Sequence, residues 1–480
     1  MLIFPLLLVL PFLLHLHPSI IFPPSDSDPP TKAPQAPTTA IILVDPFSEL
    51  HSQFIRSNLL SQNIAVIEVL SPYIANGLNK DAKNADSDFD YLSMSPDVTN
   101  QTALASWVNS VESNGLKITS VICESDSGLS YAEVLSSLVS AKHNGIQEGR
   151  RNKYLMNEIC KSNGINTVKQ KLCTSVREAL DSYNNFSSTV ILKPELGVAS
   201  ENVYKCSTES EVESAAENIL NANTWGSYRK KVDKFLVQEY VEGEEYVLDC
   251  VSKNGEHKCT AMWLYDKTEF KKYRGTRLVS CSEPERTKMA DYIFSVLTAL
   301  NVTYGMSHNE VKITKNGDVK LIEVNCRQHN ANIAPLTSMC IGYNTLDVVV
   351  SAYVDGELFD SIPKYPILNR YGTIVHLQCT VEGRVKKLKG LEEIENLPST
   401  AELDFFHDDF GIDCDVAVTE SIRTDCGFVI LINGDEAELE RDYERICELM
   451  KTMIVVRRRK RDKVMEFLGP FFDGLVTGFG

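Results

Sequence analysis

The chain has 480 residues, of which 43% are hydrophobic and 24% are charged. This composition is typical of a folded globular protein, and the length allows about three domains of roughly 100–200 residues each. The formal net charge of -17 repels a phosphate backbone, so the chain is not expected to bind nucleic acid. The 13 cysteines include no Cys-x-x-Cys pair, and their odd number in a long chain favours reduced thiols over a disulfide framework.

The chain begins with an apolar run, residues 1–22, which has the length of a membrane-spanning helix of roughly 20 residues. This leader is either a membrane anchor or a cleaved signal peptide without a basic first segment; a misassigned start codon is a third explanation. Residues 23–38 are rich in proline and serine and predict an extended linker. The first cation, Lys32, follows the apolar run, which favours a membrane-anchored protein with a cytosolic body.

If the leader is cleaved, the body instead lies in the secretory pathway or an organelle lumen. Glycosylation sequons argue weakly for that location, and they start at Asn100, Asn185 and Asn301. At the other end, residues 456–480 form a tail with a basic cluster, Arg457–Lys463, followed by an apolar stretch. The tail could touch an anionic membrane, but a solvated tail is the simpler interpretation.

Strands alternate with helices in the first part of the body. Apolar runs predict strands at Ala40–Val44, Ile64–Leu70 and Lys117–Cys123, with a helix at about 49–62 after the first of them. This alternation predicts a parallel, Rossmann-like α/β domain over residues 39–145. The segment lacks a Gly-x-Gly-x-x-Gly turn, so it is not interpreted as a dinucleotide site.

From Arg151 onwards, strands and helices no longer alternate regularly, and the remaining elements predict α+β architecture. A helix is expected at Lys153–Ser162. Strands are expected at Val190–Pro194, Phe235–Tyr240, Tyr246–Val251, Glu310–Thr314 and Val319–Asn325. Asn316–Gly317 predicts a hairpin turn between the last two strands. More strands follow Tyr371, and a helix closes the body at about Asp435–Met453. Together these elements predict a multidomain protein with α/β and α+β parts.

The predicted hairpin carries oxygen ligands. Glu310 lies on its first strand, and Glu323 and Asn325 lie on its second. Residues two apart on a strand face the same way, and hard oxygen ligands on one face suit magnesium. A solvated strand face is the simpler explanation for Glu310 alone, but Glu323 and Asn325 alternate with apolar residues, which favours a lined site.

Two further patterns are ambiguous when each is taken alone. Lys193 ends an apolar strand and is followed by a loop of small residues, 195–202, whose backbone amides could lie over phosphates. A solvated lysine at a strand end is the simpler explanation. Residues 238–245 (QEYVEGEE) predict a strand followed by a glycine hinge whose backbone could contact an adenine edge, although charged loops are commonly just solvated.

The order of these pieces resembles the ATP-grasp superfamily. The likeness runs from about Arg151 to Tyr353 and rests on stretches that read RRNKYLM, ILKPELGVASENVYKC, FLVQEYVEGEEYVLDCVS, MWLYDK, SHNEVKIT, IEVNCRQHN and GYNTLDVVVSAY. They are similar to the carboxylate-amine ligase branch that contains L-amino-acid ligases and the ligase domain of carnosine synthase. The resemblance implies a pre-ATP-grasp domain at 39–145, the ATP-grasp domain at 146–365 and its C-terminal subdomain at 366–455.

The resemblance also implies residue roles. Lys153 and Lys193 would contact the ATP phosphates, and Lys267 is a further candidate for this role. Gln238, Glu239 and Val241 would meet the adenine, and Glu245 would hold the ribose. Glu310, Glu323 and Asn325 would hold magnesium, with manganese as an alternative, and Arg327 would steady the acyl phosphate or the substrate carboxylate.

The implied reaction is ATP-dependent amide formation. A small-molecule carboxylate, expected to be an amino acid or small peptide, is phosphorylated by ATP, and an amine then attacks the acyl phosphate. The protein acts through positioning and electrostatics, with Lys193 and Arg327 as the catalytic candidates. His308 and His329 are candidate polar neighbours, although a lone histidine is more often structural. A homodimer is common among relatives.

Two departures from the family pattern concern the substrate and the rate. Residues 328–331 read QHNA where relatives often have a glycine-rich run, so the acceptor pocket is expected to differ; the loop Lys267–Leu278 is a second candidate for specificity. The phosphate loop has fewer glycines than many relatives, which could slow catalysis. The alternatives are a bicarbonate-using ATP-dependent carboxylase, although no biotinyl-carrier signature is visible, and a non-catalytic ATP-binding protein tethered to a membrane.

Overall fold

The computed structural model describes residues 36–46, 49–72, 74, 92–93, 97–186, 188–197, 200–222, 231–329, 334–406 and 410–457. These residues form two compact units. The large unit contains the described residues up to 265 together with 278–369, and the small unit contains 266–277 together with the described residues from 370 onwards.

The strands and helices follow each other in chain order. The strands are β1 (Thr39–Val44), β2 (Ala65–Val69), β3 (Leu92–Ser93), β4 (Lys117–Cys123), β5 (Gln170–Cys173), β6 (Val190–Pro194), β7 (Tyr204–Cys206), β8 (Phe235–Glu239), β9 (Glu244–Lys253), β10 (Glu256–Glu269), β11 (Lys272–Leu278), β12 (Gly305–Ile313), β13 (Val319–Asn325), β14 (Tyr371–Leu377), β15 (Gly383–Leu388), β16 (Thr400–Phe405), β17 (Asp415–Val416), β18 (Gly427–Asn433) and β19 (Ile454–Arg457). The α-helices are α1 (Glu49–Ser61), α2 (Gln101–Ser113), α3 (Leu129–Val139), α4 (Lys153–Ser162), α5 (Val176–Phe186), α6 (Glu209–Asn221), α7 (Pro284–Ala299), α8 (Ala334–Ile341), α9 (Thr345–Val354), α10 (Glu357–Ser361), α11 (Leu391–Glu395) and α12 (Glu436–Met453). Single 3₁₀ turns occupy Glu148–Arg150 and Ile422–Thr424.

A parallel sheet opens the large unit, as the alternation of strands and helices predicts. Its strand order is β3-β2-β1-β4, and every pair in it is parallel. The central strand β1 is buried along Ala40–Val44 because helices cover both faces of a parallel sheet. Ile55 and Leu59 of α1 pack in one core with Ile41 and Leu43 of β1.

A second sheet of the large unit has the order β5-β8-β6-β7 and is antiparallel. Helices α5 and α6 cover it, and their apolar residues share a core with the inward side chains of β6 and β8. Thr208 and Glu211 form a capping box that starts α6. This sheet carries Lys193 at the end of β6 and Gln238 and Glu239 at the end of β8.

In the third sheet, the strands of the large unit are antiparallel and hydrogen-bonded in the order β13-β12-β9-β10. One face is covered by α7, whose Met289, Ile293 and Leu297 share a core with Val311 of β12 and Leu321 of β13. The predicted hairpin is confirmed: β12 and β13 pair, and Gly317 has the positive φ of 78° that its turn requires. This sheet positions Glu310, Glu323 and Asn325.

In the small unit, strands are hydrogen-bonded in the order β11-β14-β18-β16, and a separate three-stranded sheet has the order β17-β15-β19. Helix α12, predicted as the closing helix, packs its Tyr443 and Ile446 in a core with Val375 and Leu431. The expected loop Lys267–Leu278 was wrong, because this segment consists of the end of β10 and the strand β11. Arg274 of β11 donates to Asp266 of β10 at 2.7 Å, a contact between the two strands.

All 13 cysteines are free thiols, and every one except the half-buried Cys414 is buried. They lie in the cores of both units, which agrees with the expectation of reduced thiols. Among the described residues, no helix is long and apolar enough to cross a membrane. The predicted leader and all of the tail beyond Arg457 lie outside the described residues, as does most of the linker. The predicted domain boundaries stay predictions.

Candidate active site

The polar face of the β12–β13 hairpin gathers the predicted metal ligands. Glu310 and Glu323 are direct partners across the two strands, and Asn325 is the partner of His308 one row further along. Side chains of directly opposed residues lie about 4.5–5.5 Å apart at their Cβ atoms and point the same way. Glu310, Glu323 and Asn325 therefore share one face, as the sequence predicted.

The Asn325 side chain tests whether this face suits a divalent cation. One polar atom of its amide lies 2.9 Å from Glu323 Oε1 and 3.2 Å from Asp126 Oδ1. Nitrogen at that position donates to both carboxylates, whereas oxygen there faces only acceptors. Two carboxylates and an amide oxygen are the hard oxygen ligands that magnesium prefers, so the residues of this face fit a magnesium ion.

Lys153 is held beside these carboxylates by the start of helix α4. Asn152 caps the helix by accepting from the backbone N–H groups of Tyr154 and Leu155. The Lys153 ammonium lies 2.8 Å from Glu323 Oε1 and donates to the Gly197 carbonyl at 3.0 Å. A cation at a helix start opposes the helix dipole, so Glu323 compensates for an otherwise unfavourable position. Residues 198–199 of the predicted phosphate loop lie outside the described part of the chain.

Lys193 is a buried cation at the end of β6, with 5% of its surface exposed. Burial lowers its pKa to about 8; the Glu323 carboxylate opposes this shift and the Lys153 ammonium adds to it. An anion placed beside such a lysine favours its charged form and raises its pKa again. The position of Lys193 therefore suits a phosphate group, as predicted, rather than a solvated strand end.

Arg327, predicted to steady the acyl phosphate, is bound by a residue that the sequence analysis missed. Its Nε donates to Asp126 Oδ2 at 2.8 Å and its Nη1 donates to the Gln328 carbonyl at 2.8 Å. Arg151 donates to the Asp126 carbonyl at 3.0 Å and to the Gly197 carbonyl at 3.3 Å. Burial alone would raise the pKa of Asp126, but Arg327 and Arg151 outweigh burial and lower it.

The place of Asp126 in the fold offers a signal that could have identified it. It lies in the turn between β4 and α3, at the carboxyl end of a parallel strand. In open parallel sheets, ligand sites collect outside the carboxyl ends of strands, next to the point where the strand order reverses. β1 has β2 on one side and β4 on the other, so this turn lies at such a point. The sequence ESDSG alone did not distinguish this aspartate from a solvated one.

The predicted adenine and ribose contacts lie along the end of β8 and the start of β9. Gln238 donates to Gln170 Oε1 at 3.0 Å. Glu239 Oε1 accepts from the Lys169 backbone N–H at 3.0 Å. Val241 and Glu245 both contact Lys312. Its ammonium donates to the Val241 carbonyl at 3.2 Å and lies 3.6 Å from Glu245 Oε2.

Gly243 forms the turn of this hinge. Its φ is 151°, and a Cβ atom there would lie 2.0 Å from the Ile313 carbonyl oxygen at the end of β12. The hinge therefore passes against the backbone of the hairpin with no room for a side chain. Because the hinge lies against the end of β12, this contact sets how far Val241 and Glu245 lie from the carboxylate face.

Lys267 belongs to the small unit. Its ammonium lies 4.4 Å from the centre of the Tyr273 ring, a cation–π arrangement. Its contact with phosphate stays a prediction. The other predicted site residues all lie in the large unit. There Lys153 contacts Glu323, and Asp126 contacts both Asn325 and Arg327.

Four buried cations and three carboxylates thus meet in one region of the large unit. The cations are Arg151, Lys153, Lys193 and Arg327, and the carboxylates are Asp126, Glu310 and Glu323. Buried charges are costly unless they are paired, so a region that gathers buried cations and carboxylates of this kind suits a ligand that carries both signs. A polyphosphate carrying a divalent cation would match both signs.

Comparison with known proteins agrees with this chemistry. Residues 186–334 match the family model of the ATP-grasp domain. Dapdiamide A synthase of Enterobacter agglomerans is 25% identical over 252 residues, which cover 50% of this chain and 58% of that protein. The chain thus spans less than two thirds of the length of this curated relative.

Solved structures show the same fold. An L-amino acid ligase from Bacillus licheniformis superposes with a TM-score of 0.65 at 14% identity, covering 88% of this chain and 100% of the other. A carboxyaminoimidazole ribonucleotide synthase from Aspergillus clavatus, solved with ATP, gives a TM-score of 0.61 at 12% identity, covering 87% and 99%. The resemblance drawn from the motifs is therefore confirmed, and the multidomain α/β and α+β fold class with it. Residues 186–334 thus form an ATP-grasp domain, and the motifs of the chain resemble those of the carboxylate-amine ligase branch of that superfamily.

Proposed function

We propose that the protein is an ATP-dependent and magnesium-dependent ligase that joins a carboxylate to an amine through an acyl phosphate. The observation that carries the proposal is the pairing of the carboxylate face with buried cations, above all the 2.8 Å contact between Lys153 and Glu323. A pure binding module would not need oxygen ligands facing one another beside two lysines. ATP supplies the driving force, since its terminal phosphoryl group is transferred to the acid.

The divalent cation would be held by Glu310, Glu323 and Asn325. When bound, it neutralises phosphate charge in the region where that charge spreads during phosphoryl transfer. Its identity as magnesium rests on the hard oxygen ligands, and manganese would accept the same set.

The remaining steps fall to positioned cations. An oxygen of the substrate carboxylate attacks the terminal phosphorus, and the bond to the ADP oxygen breaks. Lys153 and Lys193 hold the phosphates, and Lys153 can exchange its contact with Glu323 for a contact with phosphate. The amine then attacks the acyl carbon, loses a proton and displaces inorganic phosphate. Arg327 is fixed at Nε by Asp126 and at Nη1 by the Gln328 carbonyl, so its Nη2 group is the one that would meet the acyl phosphate.

The substrates are proposed to be amino acids or small peptides. This proposal rests on the similarity to a dapdiamide synthase and to an L-amino acid ligase. Specificity would depend on the segment after Arg327, which begins with Gln328 and His329 and differs from the glycine-rich run of many relatives.

Attachment and assembly are further proposals. The apolar leader, residues 1–22, supports a membrane-anchored protein whose catalytic body faces the cytosol, with an organelle lumen as the location if the leader is cleaved. Homodimerisation is proposed from the resemblance alone. Cell fractionation with an antibody to the leader would test the attachment. Light scattering of the purified protein would test the homodimer.

The experiment for the ligase is ATP consumption by the full chain with magnesium and pooled amino acids, with products read by mass spectrometry. Two variants are compared: Glu323→Ala removes a cation ligand, and Glu393→Ala removes a half-exposed carboxylate of the small unit that pairs with Arg445. We expect phosphate release and a new amide mass in the wild type and in Glu393→Ala, and neither in Glu323→Ala. Turnover with bicarbonate and not with amines would instead identify a carboxylase, and nucleotide binding without turnover in any pool would refute the enzyme.

A further inference from the structure

A second polar cluster of the large unit shares no residue with the set that would hold ATP and magnesium. Asp249 of β9 and His308 of β12 are direct partners across their strands, and His329 follows β13. They are 1%, 3% and 7% exposed, respectively. His308 and His329 lie with ring centres 4.1 Å apart, and one ligand atom of each of the three residues lies within 4.8 Å of the others.

Three atoms of this cluster make no hydrogen bond within the described part of the protein: Asp249 Oδ1, His308 Nδ1 and His329 Nδ1. The His308 Nδ1 atom lies 3.5 Å from Asp249 Oδ1, and the His329 Nδ1 atom lies 3.6 Å from Asp249 Oδ2. These separations exceed the usual N–H···O range of about 2.7–3.2 Å. They match the spacing of about 3.4 Å between neighbouring ligands of a tetrahedral zinc ion with bonds near 2.1 Å.

The opposite side of each ligand is already bonded. His308 Nε2 lies 3.2 Å from Glu310 Oε1, and His329 Nε2 lies 3.1 Å from the Tyr265 hydroxyl. The Trp263 indole donates to Asp249 Oδ2 at 2.8 Å. A carboxylate at Nε2 holds the proton there and leaves the Nδ1 lone pair of His308 available. Metal-binding histidines are oriented in this way by an outer partner on the second nitrogen.

We propose that Asp249, His308 and His329 bind a divalent transition-metal ion of the zinc type, at a site separate from the magnesium ligands. Two imidazole nitrogens with one carboxylate oxygen suit zinc, whereas magnesium prefers oxygen alone. The ion would compensate the buried Asp249 charge and tie the segment after β13 to β9 and β12. It would thereby fix the chain just beyond Arg327, and through His308 it would orient the Glu310 carboxylate.

The test is zinc retention, which does not depend on ligase activity, so the site and the proposed function can fail separately. The full chain is stripped with a chelator, reloaded with zinc, separated from free metal by gel filtration and analysed for bound metal by mass spectrometry. Asp249→Asn and His329→Ala are compared with His143→Ala, in which the lost histidine accepts a hydrogen bond from the Gly145 backbone, outside the cluster. Circular dichroism checks the fold, and His329→Gln replaces His329→Ala if the latter unfolds.

We expect one zinc ion per wild-type chain, retained in His143→Ala and also in the magnesium-ligand variant Glu323→Ala. Zinc affinity should fall at least tenfold in Asp249→Asn and at least 100-fold in His329→Ala. Cobalt added to the stripped wild type should show the intense visible bands of a tetrahedral site, and millimolar magnesium should not displace it. A stripped wild type that takes up no zinc and leaves cobalt with its aqueous spectrum overturns the proposal, as does unchanged zinc binding in both cluster variants.

Discussion

The buried ammonium of Lys193 should make nucleotide binding depend on pH above neutrality. Burial lowers the pKa of Lys193 to about 8, even though the Glu323 carboxylate acts in the opposite direction. A phosphate group placed against this side chain favours its charged form. Above pH 8 most of the ligand-free protein carries a neutral Lys193, so ATP must bind together with a proton.

The size of the effect follows from the titration curve. With a pKa of about 8, the charged fraction of Lys193 is about 0.9 at pH 7 and about 0.09 at pH 9, so the dissociation constant for ATP should rise about tenfold between them. The same shift affects stability with a defined sign. An unfolded lysine titrates near pH 10.4, so between about pH 8 and 10.4 the unfolded chain binds more protons than the folded one. The contribution of Lys193 to the free energy of unfolding therefore rises with pH across that window.

Isothermal titration calorimetry with magnesium-ATP from pH 7 to pH 9 measures this dependence. The terminal phosphate titrates near pH 6, below the range. Lys193→Met should bind more weakly at pH 7 with no dependence on pH in this range, and Lys193→Arg, whose guanidinium stays charged, should give a flat profile. A flat profile in the wild type would refute the reasoning, and so would a tenfold change that persists in Lys193→Met.

Three other perturbations test separate parts of the site. Glu323→Ala removes a cation ligand, so it should lower ATP turnover on the order of 100-fold. It should also raise the magnesium concentration needed for the half-maximal rate. A rate within twofold of wild type would argue against the carboxylate face as the cation site. Asp126→Ala should lower the free energy of unfolding by about 3–5 kcal/mol in urea titrations, because it leaves Arg327 buried without its partner, and a loss below 1 kcal/mol would mean that the pair is well solvated. Gly243→Ala should weaken ATP binding and lower the melting temperature, since its Cβ would meet the Ile313 carbonyl; unchanged values in differential scanning fluorimetry would show that the hinge can move aside.

Regular elements with a clear period could be predicted from the sequence. Strand β13 has the predicted bounds, Val319–Asn325, because apolar and polar residues alternate along it and a glycine turn precedes it. Helix α4 also has the predicted bounds, since Asn152 caps it and Gly164 follows its end. Glu323 and Asn325 could be predicted together because strand periodicity decides which side chains of one strand share a face, whereas the position of Glu310 opposite Glu323 depends on the register of the hairpin.

Contacts between distant segments could not be predicted in this way. Asp126 and Arg327 are 201 positions apart, and no local pattern signals their contact. The cluster of Asp249, His308 and His329 depends on the register of β9 against β12, which the sequence alone does not define. Lys267–Leu278 is not the expected loop, since it holds the end of β10, a turn at 270–271 and strand β11, and Arg274 of β11 donates to Asp266 of β10.

The burial of nearly every thiol gives the protein a set of internal reporters. Because the cysteines are distributed through the cores of both units, a thiol reagent reaches each one only when the surrounding core opens. Cys173 and Cys206 lie in the core of the β5–β8 sheet, and Cys447 lies in that of the small unit. The order in which peptides gain label in a timed reaction would therefore rank the opening free energies of these cores, with Cys414 as the early reference and no engineered probe.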